Sequence, residues 1–362
     1  MHDDIAAAFE RRDYRTVADL LKPLLKDSPQ DPWVQFYAAR LQEATGKPDR
    51  ATQIYRQLLR DTAMPKLALQ ARQGLERIDK RDRDRRKQAL AEAAADPLNA
   101  EPGFLILEPI TGAARVQAAQ GFAKVMQIDP QVAKLQLPGR TWQLYRTGTI
   151  GELRVYGEEL QQVGIPTLWA SQAEIKQIQI FRVSYFKSVG AQPVVICRSE
   201  QDQVGSIAFD WSEVTQRVQG RLPIFEKVID LGPWRKLQHK DKTQDYVQMC
   251  DLHLPERKCI LRICDITYQF QDSEIGSGTP ETTQNTIRIN WNTLLRSLSE
   301  NLPQIKVWSD FEGFAETALD HRVPLSRLNA QIDLPRLEGG ETHWDPAFHL
   351  YSTLAYLKHT RS

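Results

Sequence analysis

Apolar residues recur at three- and four-residue spacing from Ile5 to Leu59, the period of helices that bury one face. Ile5 to Arg12 and Tyr14 to Lys26 form a first pair, with Val17, Leu20, Leu21, Leu24 and Leu25 on the inner stripe. Pro29 and Pro32 then punctuate the chain, and Trp33, Phe36, Tyr37 and Leu41 mark the next helix. Gly46-Lys47-Pro48 supplies a turn, and Asp49 caps a helix carrying Ala51, Ile54, Tyr55, Leu58 and Leu59. Leu24-Leu25-Lys26-Asp27 returns as Leu58-Leu59-Arg60-Asp61, thirty-four residues later. The same shift lays Arg12 on Gly46, Val17 on Ala51, Leu20 on Ile54 and Leu21 on Tyr55. A repeating unit of that length cannot bury its apolar face alone and must stack on neighbours.

Trp33, Phe36-Tyr37, Leu41, Gly46, Ala51, Tyr55 and Leu58, with Asp13-Tyr14 and Val17 in the matching places of the first unit, resemble the tetratricopeptide repeat family. Small residues at Ala39 and Ala51 let paired helices approach closely. The resemblance implies stacked helical hairpins that receive a protein partner, with Trp33, Tyr37, Arg40 and Tyr55 as candidate contact residues. The chain departs from the family after two units. Leu67, Leu69, Leu75 and Ile78 supply a third first-helix, but Lys80 to Lys87 has no apolar stripe to continue it. Residues 1–96 are thus expected to form a repeat domain ending in a charged helix.

Asp96-Pro97 to Pro102-Gly103 is a boundary, and a new rhythm follows it. Phe104 to Leu107 reads as a strand, Ala113 to Met126 as a helix and Ala133 to Leu137 as a strand. Trp142 to Tyr145 then reads as a strand, Ile150 to Val163 as a helix and Thr167 to Ala170 as a strand. This βαββαβ order predicts a ferredoxin-like four-stranded domain over 97–172. From 173 to 303 strands dominate: Ile178 to Phe186, Val194 to Arg198, Val204 to Phe209, Tyr246 to Leu254 and Cys259 to Phe270. Helices are expected at Trp211 to Val218, Leu222 to Ile229 and Trp291 to Leu302, and a loop at Asp272 to Thr286. Antiparallel strands closed by one helix resemble a pleckstrin-homology-like barrel at the level of fold. Trp308, Phe311, Phe314, Trp344, Phe348 and Tyr351 predict that the extension 304–362 packs on the body. The fold class is therefore multidomain, α plus α+β.

At 362 residues, with 41% apolar and 26% charged side chains, the chain is long enough for two or three cores. Its 47 basic and 46 acidic residues give no global attraction to nucleic acid or anionic lipid. Met1-His2-Asp3-Asp4 lacks a basic and apolar leader, and no window reaches the ~20 apolar residues of a membrane span. A cytoplasmic address follows, with peripheral membrane association left open. Cys197, Cys250, Cys259 and Cys264 are too few for a disulfide framework and are expected as free thiols.

Cys250, His253, Cys259 and Cys264 have the donor types of a zinc site. On a hairpin turning at Pro255 to Lys258, odd separations point Cys250 away from His253 and Cys259 away from Cys264, which favours buried thiols over a metal. The six cations of Lys80 to Lys87 are interleaved with Asp82 and Asp84, the pattern of a solvated helix rather than a phosphate-binding one. Gly276-Ser277-Gly278 lacks the strand-to-helix context of a phosphate cradle, and no nucleophile elbow or paired-histidine metal motif occurs. No cofactor and no enzymatic activity are expected.

These features predict a non-enzymatic adaptor or assembly factor with a protein partner. The general look of the chain, high in Gln, Leu and Ala with Asp-Pro and Leu-Pro punctuation, is similar to uncharacterised cyanobacterial repeat proteins. That similarity implies roles in assembling photosynthetic or other membrane complexes. The alternative is a small-molecule sensor or enzyme with a pocket between the middle and carboxy-terminal domains.

Overall fold

Caps and prolines set the helix boundaries at the amino-terminal end. The computed structural model describes residues 2–231, 237–275, 286–334 and 342–361. Five helices come first: α1 (His2–Glu10), α2 (Tyr14–Asp27), α3 (Pro32–Ala44), α4 (Pro48–Asp61) and α5 (Pro65–Ala95). Asp13 accepts from the Thr16 amide at 3.1 Å to start α2, and Gly46 turns the chain between α3 and α4 at φ +79°. Ile5, Val17, Leu21, Phe36, Ala39, Ala51, Tyr55, Leu58, Leu67 and Ala71 bury their side chains together. The third hairpin does not form. With no proline or glycine between Gly74 and Pro97, α5 runs straight on through Lys80 to Lys87.

The chain divides at Glu92/Ala93 into two units. The second unit begins with β1 (Pro102–Leu107), α6 (Ala114–Met126), α7 (Pro130–Gln136), β2 (Gln143–Thr149), α8 (Ile150–Gln162) and β3 (Thr167–Ser171). The sheet is antiparallel, three-stranded and ordered β2-β1-β3. This corrects the ferredoxin-like expectation of four strands: Ala133 to Leu137 lies mostly in a helix. Asp129 accepts from the amides of Gln131 (2.7 Å) and Val132 (3.4 Å), and Pro130 occupies the first helical position, so the segment is capped into α7. Leu105 and Leu107 pack on Phe122 of α6 and on Leu153 and Leu160 of α8, while Phe104 and Ile106 enter a second core.

After α9 (Gln172–Lys176) come β4 (Gln179–Ser188), β5 (Val194–Arg198), β6 (Val204–Ala208), β7 (Gln216–Leu231), β8 (Leu237–Leu254), β9 (Cys259–Cys264), α10 (Ile287–Asn301) and β10 (Lys306–Trp308). Seven strands lie in the order β10-β7-β8-β9-β4-β5-β6, parallel at β10/β7 and β4/β9. An open mixed sheet replaces the expected antiparallel barrel. Trp211 to Val218 and Leu222 to Ile229 are not helices. Only Trp211–Glu213 makes a helical turn, and Val218 and Leu222, four apart, point from one face of β7. Strand β9 stops at Cys264, short of Phe270. Residues 276–285 of the expected loop, with Gly276-Ser277-Gly278, lie outside the described residues.

Last come α11 (Phe311–Ala318), α12 (Arg322–Leu325) and α13 (Trp344–Thr360). Every residue of α13 from Ala347 to Tyr356 is buried. One apolar cluster joins Phe104, Leu144 and Leu168 to Val218 and Val247 and to Phe314, Phe348 and Tyr351. The expected divisions at 172 and 303 therefore run through a shared core and do not separate domains. Trp291, Leu294 and Leu298 of α10 cover the opposite face of the large sheet, against Cys250, Leu252 and Leu261. Among the described residues no helix is long and apolar enough to cross a membrane.

Candidate functional site

Asp31 fixes the start of α3 by accepting from the amides of Trp33 (2.7 Å) and Val34 (3.3 Å). Trp33, Tyr37 and Arg40, spaced four and three apart, therefore lie on one helix stripe. Tyr37 stacks on Phe9 of α1 with centroids 5.9 Å apart, and the Arg40 guanidinium carbon sits 4.5 Å from the Phe9 centroid. Trp33 meets Phe36 edge-on at 6.0 Å. Trp33 and Arg40 are half-buried, whereas Tyr37 is buried and its phenol pKa is raised by desolvation.

Tyr55 has a different place from the one expected. It is fully buried, and its hydroxyl donates to Glu43 Oε2 at 2.9 Å. Its ring lies so close to Gly74 of α5 that a Cβ there would fall 2.5 Å from the Tyr55 Cζ. Glu43 is itself buried and accepts from Arg77 at 3.1 and 3.0 Å. Desolvation, then the Glu43 charge, push the Tyr55 pKa up. Tyr55 thus locks α3, α4 and α5 together and cannot meet a partner. Glu43, Gly74 and Arg77 went unread in the sequence, where Glu43 looks like any helical carboxylate.

The basic stretch of α5 is largely exposed, with Arg85 paired to Asp82 at 3.2 Å and Arg81 4.0 Å from Glu43. Cys250 and Cys259 lie in the core under α10, while Cys264 lies in the opposite core. Burial pushes the thiols of Cys197, Cys259 and Cys264 to about 11 and that of Cys250 to about 12, so they stay protonated at neutral pH. Among the described residues no group of three or more His, Cys, Asp or Glu is placed to hold a metal.

His253 belongs to a buried polar chain whose hydrogen-bond directions can be read from one end. Trp308 Nε1, which can only donate, bonds Gln216 Oε1 at 2.8 Å. The Gln216 amide nitrogen then donates to Ala355 O (2.8 Å) and to His253 Nδ1 (2.9 Å). His253 is therefore protonated at Nε2, which donates to Ser352 Oγ at 3.0 Å, and Ser352 donates to Asp251 Oδ2 at 2.6 Å. Arg262 closes the chain on Asp251 at 2.6 Å, both side chains being buried. A Ser-His-Asp set is present, but the serine proton points at the aspartate and the histidine faces the serine with its N–H. That is the reverse of a nucleophile awaiting its base.

A cavity of roughly 180 Å³ opens beside Arg262, lined by residues running from Arg182 to Asp333. No residue of 97–172 lines it, so it is not the inter-domain pocket expected from the sequence. Its basic residues lie in strands far apart in sequence, and no motif announces them.

No curated protein and no solved structure matches the chain. Residues 8–72, from α1 into the first turns of α5, match the family model described as tetratricopeptide repeat. Residues 8–72 are thus similar to tetratricopeptide repeats, units that generally mediate protein–protein interaction.

Proposed function

We propose that this protein is a non-enzymatic adaptor or assembly factor whose repeat helices hold a protein partner. The observation that carries the reading is the seam of α1 and α3, where half-buried Trp33 and Arg40 border a packed Phe9-Tyr37 stack. Aromatic and arginine side chains held rigid at a surface lose little entropy on binding and are enriched among residues that dominate interface energy. Inverted tautomer order at His253 and protonated thiols leave these groups without nucleophilic roles, which agrees with an adaptor. Assembly of a photosynthetic or other membrane complex is the setting the sequence resemblance suggests. The test is affinity capture by the full chain and by a Trp33→Ala/Arg40→Ala variant of unchanged helicity. A protein held stoichiometrically by the parent and lost by the variant supports the proposal; equal retention by both overturns the placement of the contact, and no retained protein overturns the adaptor.

A further inference from the structure

Strand register in the large sheet lays three arginines side by side. Arg182 of β4 is directly opposite Arg198 of β5 on one side and Arg262 of β9 on the other, and Arg262 is opposite Asp251 of β8. Like charges facing one another across adjacent strands are destabilising unless an anion lies among them. The protein supplies part of that anion. Asp251 neutralises Arg262 deep in the core, while Arg182 meets Asp202 and Asp333, whose side chains are 71% and 73% exposed.

Two parts of the row remain unanswered. Among the described residues Arg198 has no ion-pair partner, and the Arg182 Nε, nearer the backbone than the nitrogens Asp202 and Asp333 reach, is buried without an acceptor. A buried guanidinium N–H without a partner is costly. The cavity sits on this row, with Met249 and Ile332 as its apolar wall. Gln331 on its rim is held at φ +52°, its amide bonded by Asn329 Oδ1 at 3.3 Å. A non-glycine residue in the left-handed region marks backbone kept in a strained form, a feature that clusters at ligand sites.

We propose that the cavity binds a small organic acid. Its carboxylate is received by the Arg198 guanidinium beside Arg182, and its carbon chain lies on Met249 and Ile332. The Asp333 contact shows that Arg182 already takes a carboxylate at this place. The volume, below the ~300–1,000 Å³ of pockets for drug-sized molecules, limits the occupant to a short chain. The site lies wholly in the second unit and does not depend on the adaptor reading.

Succinate, glutarate and inorganic phosphate, titrated by calorimetry and thermal shift into the full chain, test this. We expect succinate or glutarate to raise Tm with dose, and Arg198→Gln, an exposed position, to weaken Kd about tenfold without lowering the unliganded Tm. Binding of phosphate but of neither acid overturns the carboxylate assignment. Equal acid affinity in Arg198→Gln overturns the site, and so does the absence of any binding with Kd below about 10 mM.

Discussion

Acidification from pH 6 to pH 5 should destabilise the second unit through two histidines held neutral in its core. Burial pushes His253 and His349 down to about 3, against an ordinary value near 6.5. A lowered folded-state pKa means that the unfolded chain takes up the proton first. The stabilisation is complete above pH ~6.5 and is lost as pH falls toward 3. Over the single unit from 6 to 5, each histidine removes about 1 kcal/mol, so the pair removes about 2 kcal/mol. Asp265 acts in the opposite sense. Desolvation raises it to about 6, the folded state gains its proton over the same range, and part of the loss is offset. The net loss expected is about 1 to 2 kcal/mol. Urea unfolding followed by tryptophan emission at the two pH values reads it, since of the eight tryptophans only Trp33 precedes residue 93. His349, whose Nδ1 has no partner, can be replaced by methionine of similar bulk, and His349→Met should remove about 1 kcal/mol of the acid loss. Equal losses in parent and variant would refute the reasoning. So would an imidazole titration in which folded His253 protonates near 6.5.

Two further outcomes are expected. Glu43→Ala leaves the buried Tyr55 hydroxyl and the Arg77 guanidinium without their acceptor and should cost about 2–3 kcal/mol by denaturant titration of the helical signal; Tyr55→Phe in the same background should cost less than it does alone, because the pair is coupled. Gly220→Ala puts a Cβ 2.7 Å from Phe311 and 2.9 Å from Phe348, so it should lower stability by about 1–3 kcal/mol despite the better strand propensity of alanine, and a rise in Tm would contradict the packing.

Local signals were legible where they were self-contained. Asp31-Pro32, Gly46 and Pro48 fix α3 and α4 within a few residues, and the thirty-four-residue echo marks the repeating unit in the sequence itself. Errors arose where two periods fit one stretch. Ala133 and Leu137 bury their side chains at helical spacing, yet Val-Ala-Lys-Leu-Gln-Leu also alternates like a strand, and the Asp129-Pro130 cap was the deciding signal. In β7 Gln216, Val218 and Leu222 are buried on one face and Gly220 lies against Phe311 and Phe348, so a glutamine and a glycine disguise the alternation. The arginine row could not be read at all, because pairing of Arg182 with Arg262 depends on two strands brought together from distant parts of the chain.

Strand β9 is the central neighbour of β4, and α13 contributes Phe348, Tyr351 and Leu354 to the core that β1 also enters. During synthesis the repeat helices can therefore collapse locally as they emerge, whereas β1 and β4 must wait for partners made much later. A chain interrupted before α13 would carry finished repeat helices and a second unit with an open apolar face. Quality-control proteases would meet that face first, so the last buried helix makes intact length a condition for the protein's survival in the cell.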